Sequence, residues 1–265
     1  MKPCAWVACL VLTAAHVGSA IQVTQVAGAA HAYPQMLDLN GKRLGTGEYV
    51  QEIQGDRLKV RITYHLKDGR VIEEKGTFHQ GSEFSQKEWS WQERRAGTIQ
   101  REYAIHFDPA QAMARKRENG NERNWSEKIK VEPRYTFAGF GFTLVLQNLR
   151  DRLRKGEAIT LQAVGFTPKP RVVAVKLSYA GTDRVPMSER ILPGEHFLVQ
   201  PQIPAIAKLF IKISDTHIWL TPPPSGFLRW EGPLAEPSDP LVRVDFSSGG
   251  ESGAAEVVSR KSPNK

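Results

Sequence analysis

Residues 139–157 read GFGFTLVLQNLRDRLRKGE, and this stretch decides the fold. Phe142, Val145, Leu146, Leu149 and Leu153 fall at i, i+3, i+4, i+7 and i+11, the spacing that lines one side of an α-helix. Gln147, Asn148, Arg150, Asp151, Arg152, Arg154 and Lys155 take the other side. Thr143 is the expected N-cap. Arg152, Arg154 and Lys155 suit the negative end of the helix dipole, and Gly156 is placed to end the helix. A helix over about 140–155 follows. Burying its five large apolar side chains is worth about 10 kcal/mol gross, at roughly 2 each. The stripe therefore needs no ligand to account for it.

Outside this helix the chain reads as strand and tight turn. From residue 46 the pattern is of alternating runs. Residues 58–66 and 71–79 flank Asp68-Gly69, residues 87–95 and 98–107 flank Ala96-Gly97, and residues 112–117 and 122–130 flank Asn119-Gly120. Such pairs supply the positive φ angles that a two-residue hairpin turn requires. Strands resume at 158–166 and 171–179, and shorter ones are expected at 195–200, 208–213, 217–221, 227–230 and 241–246. Prolines between them belong at edges and loops. No composition shift splits residues 46–246, so one domain is expected. The fold class is mainly β (α+β): a large curved antiparallel sheet, half-barrel or nearly closed barrel, with the helix packed against it. A flat sheet of so many strands is unusual.

The flanks have other characters. Residues 1–20 have the plan of a secretory signal: Lys2, an apolar core over 5–15, and small residues Gly18 and Ala20 at −3 and −1 of a cut. Gly28 and Ala30 offer a second cut. No later run is apolar enough for a membrane-spanning helix, so an exported protein is expected, in a bacterial periplasm. Residues 21–45 read as a loose N-terminal arm, and 247–265, rich in Gly, Ser and charge, as a disordered tail. Both cysteines, Cys4 and Cys9, fall in the signal, which removes disulfides, thiolate sites and cysteine nucleophiles from the remainder. The net charge of +8 becomes +7 without Lys2. Acids are interleaved with the bases, and with an exported address this argues against nucleic acid as partner.

Motifs for chemistry are sparse. There is no His-x-His, His-Glu-x-x-His, Gly-x-Ser-x-Gly or phosphate-binding glycine loop, so no metal, cofactor or catalytic residue is expected. With Asp68-Gly69 as a two-residue turn, His65 faces Ile72 and His79 faces Leu58, too far apart to act together. With Ala96-Gly97 as the next turn, Trp91 faces Glu102. Trp89 and Trp91 then lie on the opposite face from Ile99, Tyr103, Ile105 and Phe107. A hairpin apolar on both faces is expected to border either a second layer or a hollow. Ten methylenes of an acyl chain in such a hollow gain about 8 kcal/mol, enough for micromolar binding after modest costs.

The block Thr216-His217-Ile218-Trp219-Leu220-Thr221, a loop, and Phe227-Leu228-Arg229-Trp230-Glu231 resembles the end of a family of exported bacterial proteins, domain of unknown function 3108. The mid-chain helix followed by Gly156-Glu157 matches the family's plan. The chain departs from it at Pro222-Pro223-Pro224 and Trp230. The resemblance implies a curved, helix-plugged sheet similar to periplasmic lipoprotein carriers, and no catalytic residues.

Three functions are thus expected in order. The first is a non-enzymatic envelope protein holding a lipid or lipoprotein acyl chain in the concave face of the sheet. Trp89, Trp91, Tyr103, Phe137, Phe140, Phe142 and Trp219 are its lining, and Arg150, Arg152, Arg154 and Lys155 its headgroup or partner contacts. The second is a protein–protein module using a sheet edge or the basic helix face. The third is an unrecognised hydrolase, with His106 or His217 beside a carboxylate in a cleft.

Overall fold

The computed structural model describes residues 20–118, 120–187, 190–202, 214–223 and 225–246. Residues 1–19 of the signal expected over 1–20, Asn119, the strand expected at 208–213 and the tail 247–265 lie outside the described residues. Two meanders are joined by a helix. The first runs β1 Ala30–Ala32, β2 Gln35–Asp38, β3 Arg43–Gln54, β4 Arg57–Leu66, β5 Arg70–Gln80, β6 Phe84–Arg95, β7 Thr98–Phe107, β8 Ala110–Glu118 and β9 Asn121–Lys128. A short β10, Thr136–Phe137, leads into α1, Gly141–Arg154. The second meander is β11 Ile159–Phe166, β12 Pro170–Met187, β13 Arg190–Pro201, β14 Thr216–Leu220, β15 Phe227–Pro233 and β16 Leu241–Asp245.

All strands join one curved, unclosed sheet in the order β10-β11-β12-β13-β14-β15-β16-β2-β3-β4-β5-β6-β7-β8-β9, with β1 added on β3. Among the described residues only β10 and β11 pair in parallel. The seam between the meanders is β16 on β2, Val242 opposite Asp38. An early strand and the last one therefore meet in the middle of the sheet, and β9 and β10, which flank the approach to the helix, supply both edges. The sheet rolls until its ends face one another across the interior: Phe166 of β11 stacks on Trp89 of β6 and Tyr103 of β7, at 5.8 and 4.8 Å between centroids. Among the described residues no helix is long and apolar enough to cross a membrane.

Turn chemistry sets the registers. Ala96 (φ 48°) and Gly97 (φ 77°) make the expected two-residue turn. At Lys67-Asp68-Gly69 only Gly69 has positive φ, and its N–H bonds to the Leu66 carbonyl at 3.1 Å. The loop is thus three residues long, and His65 faces Val71 and His79 faces Arg57, one place from the expected register. The two histidines remain far apart.

A larger correction concerns β6 and β7. Register passes from Arg94 opposite Ile99 to Glu93 opposite Arg101, leaving Gln100 as a bulge. Trp91 is thereby brought opposite Tyr103 and Trp89 opposite Ile105, all four buried on one face. The hairpin is not apolar on both faces. One extra residue inverts the alternation of everything beyond it. A second bulge, at Lys87, turns Phe84 and Gln86 to the same side as the tryptophans. Bulged strands bend, and these bends help roll the sheet.

The helix spans the expected residues and buries Leu144, Val145, Leu146, Leu149 and Leu153 in the concave side. Gly156 ends it at φ 89°, its N–H on the Leu153 carbonyl. Thr143 is not the N-cap: it is buried in the first turn, and Phe140 occupies the cap without a side-chain bond of its own. Nor is the expected polar side wholly solvated, because Asn148 and Arg150 are buried.

Residues 21–45 are not a loose arm. Ile21 is buried and its carbonyl accepts from Phe84 N–H at 2.7 Å. Asn148 Oδ1 accepts the N–H groups of Thr24 and Gln25, and Gln80 brackets Ala27 through both amide atoms. The arm crosses the helix and then enters the sheet as β1 and β2. Its small polar composition hid this, since Gln80 and Asn148, which hold Ala27, Thr24 and Gln25, lie more than fifty residues away.

Candidate functional site

The interior is built from four aromatic strands and the helix entry. Phe84 stacks between Phe78 and Phe137 at 5.6 and 6.1 Å, Trp91 stacks on Tyr103 at 5.6 Å, and Phe142 meets Phe137 edge-on. The segment before α1 is clamped from the sheet. Gln86 accepts Ala138 N–H at 2.8 Å and donates to Ala138 C=O at 3.2 Å. Glu74 Oε1 accepts both Trp89 Nε1–H at 2.8 Å and Phe140 N–H at 2.7 Å. A β-strand carboxylate thus caps the helix that lacks its own cap. Gly139 (φ 50°) is required here, because a Cβ would stand 2.1 Å from Glu74 Oε1 and 2.2 Å from Trp89 Nε1. Burial raises the Glu74 carboxyl above the usual range, against the lowering pull of the Trp89 and Phe140 donors.

The basic side of α1 is divided. Arg150 is buried and holds Glu195 of β13 with two bonds, Nε to Oε2 and Nη2 to Oε1, the latter 2.7 Å. Arg154 reaches the same carboxylate at 3.5 Å, while Arg152 pairs with Glu157 at 2.8 Å. Arg152, Arg154 and Lys155 are exposed. Arg150 is therefore a ligand of the fold, not of a headgroup. Helical periodicity sets it on the solvent side, and nothing within the segment shows that β13 brings a carboxylate to meet it.

One rim of the roll is closed by the loop between β15 and β16. Asp239 receives two bonds from Arg101 Nη1, at 2.9 and 2.8 Å, and Glu236 accepts from Tyr103 Oη and pairs with Lys116 at 3.1 Å. Arg101 also pairs with Glu93 at 3.2 Å and lies 5.1 Å over the Trp91 ring. Burial works to lower the Arg101 pKa, but the Glu93 and Asp239 carboxylates outweigh it and hold the guanidinium charged.

Of the expected lining residues, Trp89, Trp91, Tyr103, Phe137 and Phe142 gather in this interior and are buried, and Phe140 packs at its margin against Tyr49 and Phe227. Trp219 does not join them. It belongs to a satellite cluster with Val185, Met187 and Leu228, made where β12 continues past Gly181 to Met187. The gathered rings pack against each other and α1. The two best-formed depressions among the described residues are shallow, about 250 Å³ each, and share Lys75, Gly76 and Thr77.

The histidines fall outside the interior. His106 sits 3.4 Å from Glu88 on an exposed stretch. His217 meets His196, which no motif singled out, and His196 in turn meets Asp183. Glu74, Gln86, Glu195 and Glu236 were also missed by sequence reasoning. Each is one polar residue in a strand or loop pattern, with a partner at least twelve residues away, and carries no local signal.

Taken together these features define a rolled, barrel-like single-sheet domain with a helix in its interior. No family model matches the chain, and no curated protein matches it. Among solved structures, the beta-barrel-like protein of domain of unknown function DUF1849 from Brucella abortus is similar at a TM-score of 0.44 and 10% identity, over 83% of this chain and 95% of that one.

Proposed function

We propose that this chain is an exported, non-enzymatic protein of the bacterial cell envelope that takes an extended segment of a partner protein as an added strand on β9. The observation that carries this reading is the inequality of the sheet's two edges. β10 is two residues long, both buried, and Gln86 brackets Ala138 just beyond it. β9 is eight residues long, pairs only with β8, and is exposed along most of its length. It has no proline; Glu127 meets Lys169 of the β11–β12 turn at 4.0 Å, and no strand among the described residues pairs with its outward edge. The turn that pairs Glu118 with Asn121 leaves the backbone groups of Glu122, Asn124, Ser126 and Lys128 facing outward. Such an edge is the usual acceptor for strand addition. Export rests on the plan of residues 1–20, and kinship with domain of unknown function 3108 on the blocks around Trp219 and Trp230.

Asn124→Pro tests this reading, because it blocks the outward edge while leaving the bonds to β8 in place. A photo-cross-linker at Ser126, in cells exporting the full chain, should capture one discrete partner. That purified partner should protect β9 amides from exchange and bind Asn124→Pro at least tenfold more weakly. Equal binding without protection of β9 would overturn the reading.

A second reading, an acyl chain in the concave face, draws on the continuous wall of Trp89, Trp91, Tyr103, Phe137 and Phe166. It requires the chain to displace α1, whose apolar side fills that face. A stoichiometric adduct in native mass spectrometry that extracts as lipid would favour it over strand addition.

A further inference from the structure

On the outer face of the second meander, β12, β13 and β14 bring Asp183, His196 and His217 into one chain of contacts. His196 Nδ1 lies 3.1 Å from Asp183 Oδ2, and His196 Nε2 lies 2.9 Å from His217 Nδ1. Trp219 donates from Nε1 to the same Asp183 oxygen at 2.8 Å and stacks on the His196 ring at 4.3 Å and 15°. These contacts fix the tautomers. A carboxylate only accepts, so His196 carries its proton on Nδ1 and presents a lone pair at Nε2. His217 must then donate from Nδ1. One proton is held between two imidazole nitrogens, and one of the rings is locked in plane by a carboxylate and an indole.

We propose that this pair is a binding site for a divalent transition-metal ion, copper(II) above all, with His196 Nε2 and His217 Nδ1 as ligands. Imidazole nitrogens bind such ions at about 2.0–2.1 Å. Two of them at adjacent corners of a square plane, the geometry copper(II) prefers, are then about 2.9 Å apart. In the metal-free chain the two nitrogens face one another at 2.9 Å in a hydrogen bond, so His217 has only to swing aside for both lone pairs to converge on one ion at this spacing. Asp183 stands behind His196 in the position that orients a metal-binding imidazole and raises its basicity. The chemistry balances without a net proton: His217 moves its N–H from Nδ1 to Nε2, and the freed lone pair turns to the ion. His217 is only partly buried, so it supplies the adjustment while His196 stays in place. Solvent completes the coordination. Among the described residues no group of three or more His, Cys, Asp or Glu is placed to hold one ion. This site differs in having two facing nitrogens with the carboxylate one step removed.

The surrounding charges permit a cation. β15 sets Glu231 opposite His217 and Arg229 opposite Trp219, and the Arg229 charge is met by Asp245 at 2.6 Å. Burial, ahead of the opposing pull of the Asp183 carboxylate, lowers the His196 pKa.

The test uses the full chain and the metal salt alone. One equivalent of copper(II) at neutral pH should give an electron paramagnetic resonance signal with two imidazole nitrogens. One equivalent of zinc(II) should move the His217 proton from Nδ1 to Nε2 in nitrogen-resolved histidine spectra. His217→Ala should abolish the two-nitrogen signal, Asp183→Asn should weaken binding by about 10–100-fold, and His106→Ala should change nothing. An unchanged copper signal in a folded His217→Ala protein would overturn the proposal. So would zinc-insensitive resonances of His196 and His217 in the unaltered chain, which needs no variant to fold.

Discussion

Glu74 is one acidic residue within a strand, yet it joins sheet, helix and interior. Both of its donors, Trp89 Nε1 and Phe140 N, reach the same Oε1. Glu74→Ala leaves two enclosed N–H groups unpaired and should lower unfolding free energy by about 1–3 kcal/mol. Glu74→Gln keeps an acceptor oxygen and removes a buried charge, so it should equal or exceed the parent at neutral pH. The carboxyl is raised by burial in the folded chain. The folded state therefore keeps its proton at pH values where the unfolded state has lost it. That contribution is complete below the ordinary carboxylate value and is lost as pH rises through the raised one. Urea titrations across this window should show the parent losing stability relative to Glu74→Gln as pH increases. Trp91 is the second residue to test. It is buried on Tyr103 beneath Arg101, so Trp91→Ala should cost about 3–5 kcal/mol in the same assay. A near-unchanged midpoint would restore it to a ligand-lining role.

At the scale of elements, the helix and the β6–β7 hairpin show where periodicity serves and where it fails. The apolar side of α1 was legible because i, i+3, i+4 spacing is a property of the segment alone. Its polar side was misread at Asn148 and Arg150, whose surroundings come from residues 24–25 and from Glu195. Arg150→Ala should cost about 3–5 kcal/mol, since it leaves buried Glu195 without its two-bond partner and with only exposed Arg154 at 3.5 Å, and thermal unfolding checks this. The hairpin departs from its expected faces for a different reason. Its turn is the expected one, but strict alternation does not survive the bulge at Gln100. Deleting Gln100 should drive Tyr103, Ile105 and Phe107 toward the outer face. The deleted chain should expose apolar surface to a fluorescent hydrophobic dye at room temperature, where the parent does not.

For the whole molecule, the topology makes its own prediction. The first and last long-range partners of the two meanders, β2 and β16, meet in the middle of the sheet, while the edges are β9 and β10. Hydrogen exchange should therefore be slowest near the seam and fastest, among the long strands, in β9. Strands β3 to β7 have neighbours on both sides and buried concave faces, and should exchange only through global unfolding. Rapid exchange at the seam with protection at β9 would mean that β9 is already covered in the free protein.

The local chemistry of the chain determined the helix, most of the strands, the hairpin turns and the plan of a large rolled antiparallel sheet. Each follows from periodicities and turn residues that act within about twenty positions. Only the tertiary structure decided which polar residues are interior, that the arm over 21–45 is part of the sheet, and that Trp219 stands apart from the other rings. It also decided that Asp183, His196 and His217 converge. These outcomes depend on bulges that shift a register by one residue and on strands that become neighbours only when the sheet rolls. No local pattern carries that information, because a one-residue slip changes the face of every side chain beyond it while leaving the alternation of the sequence unchanged.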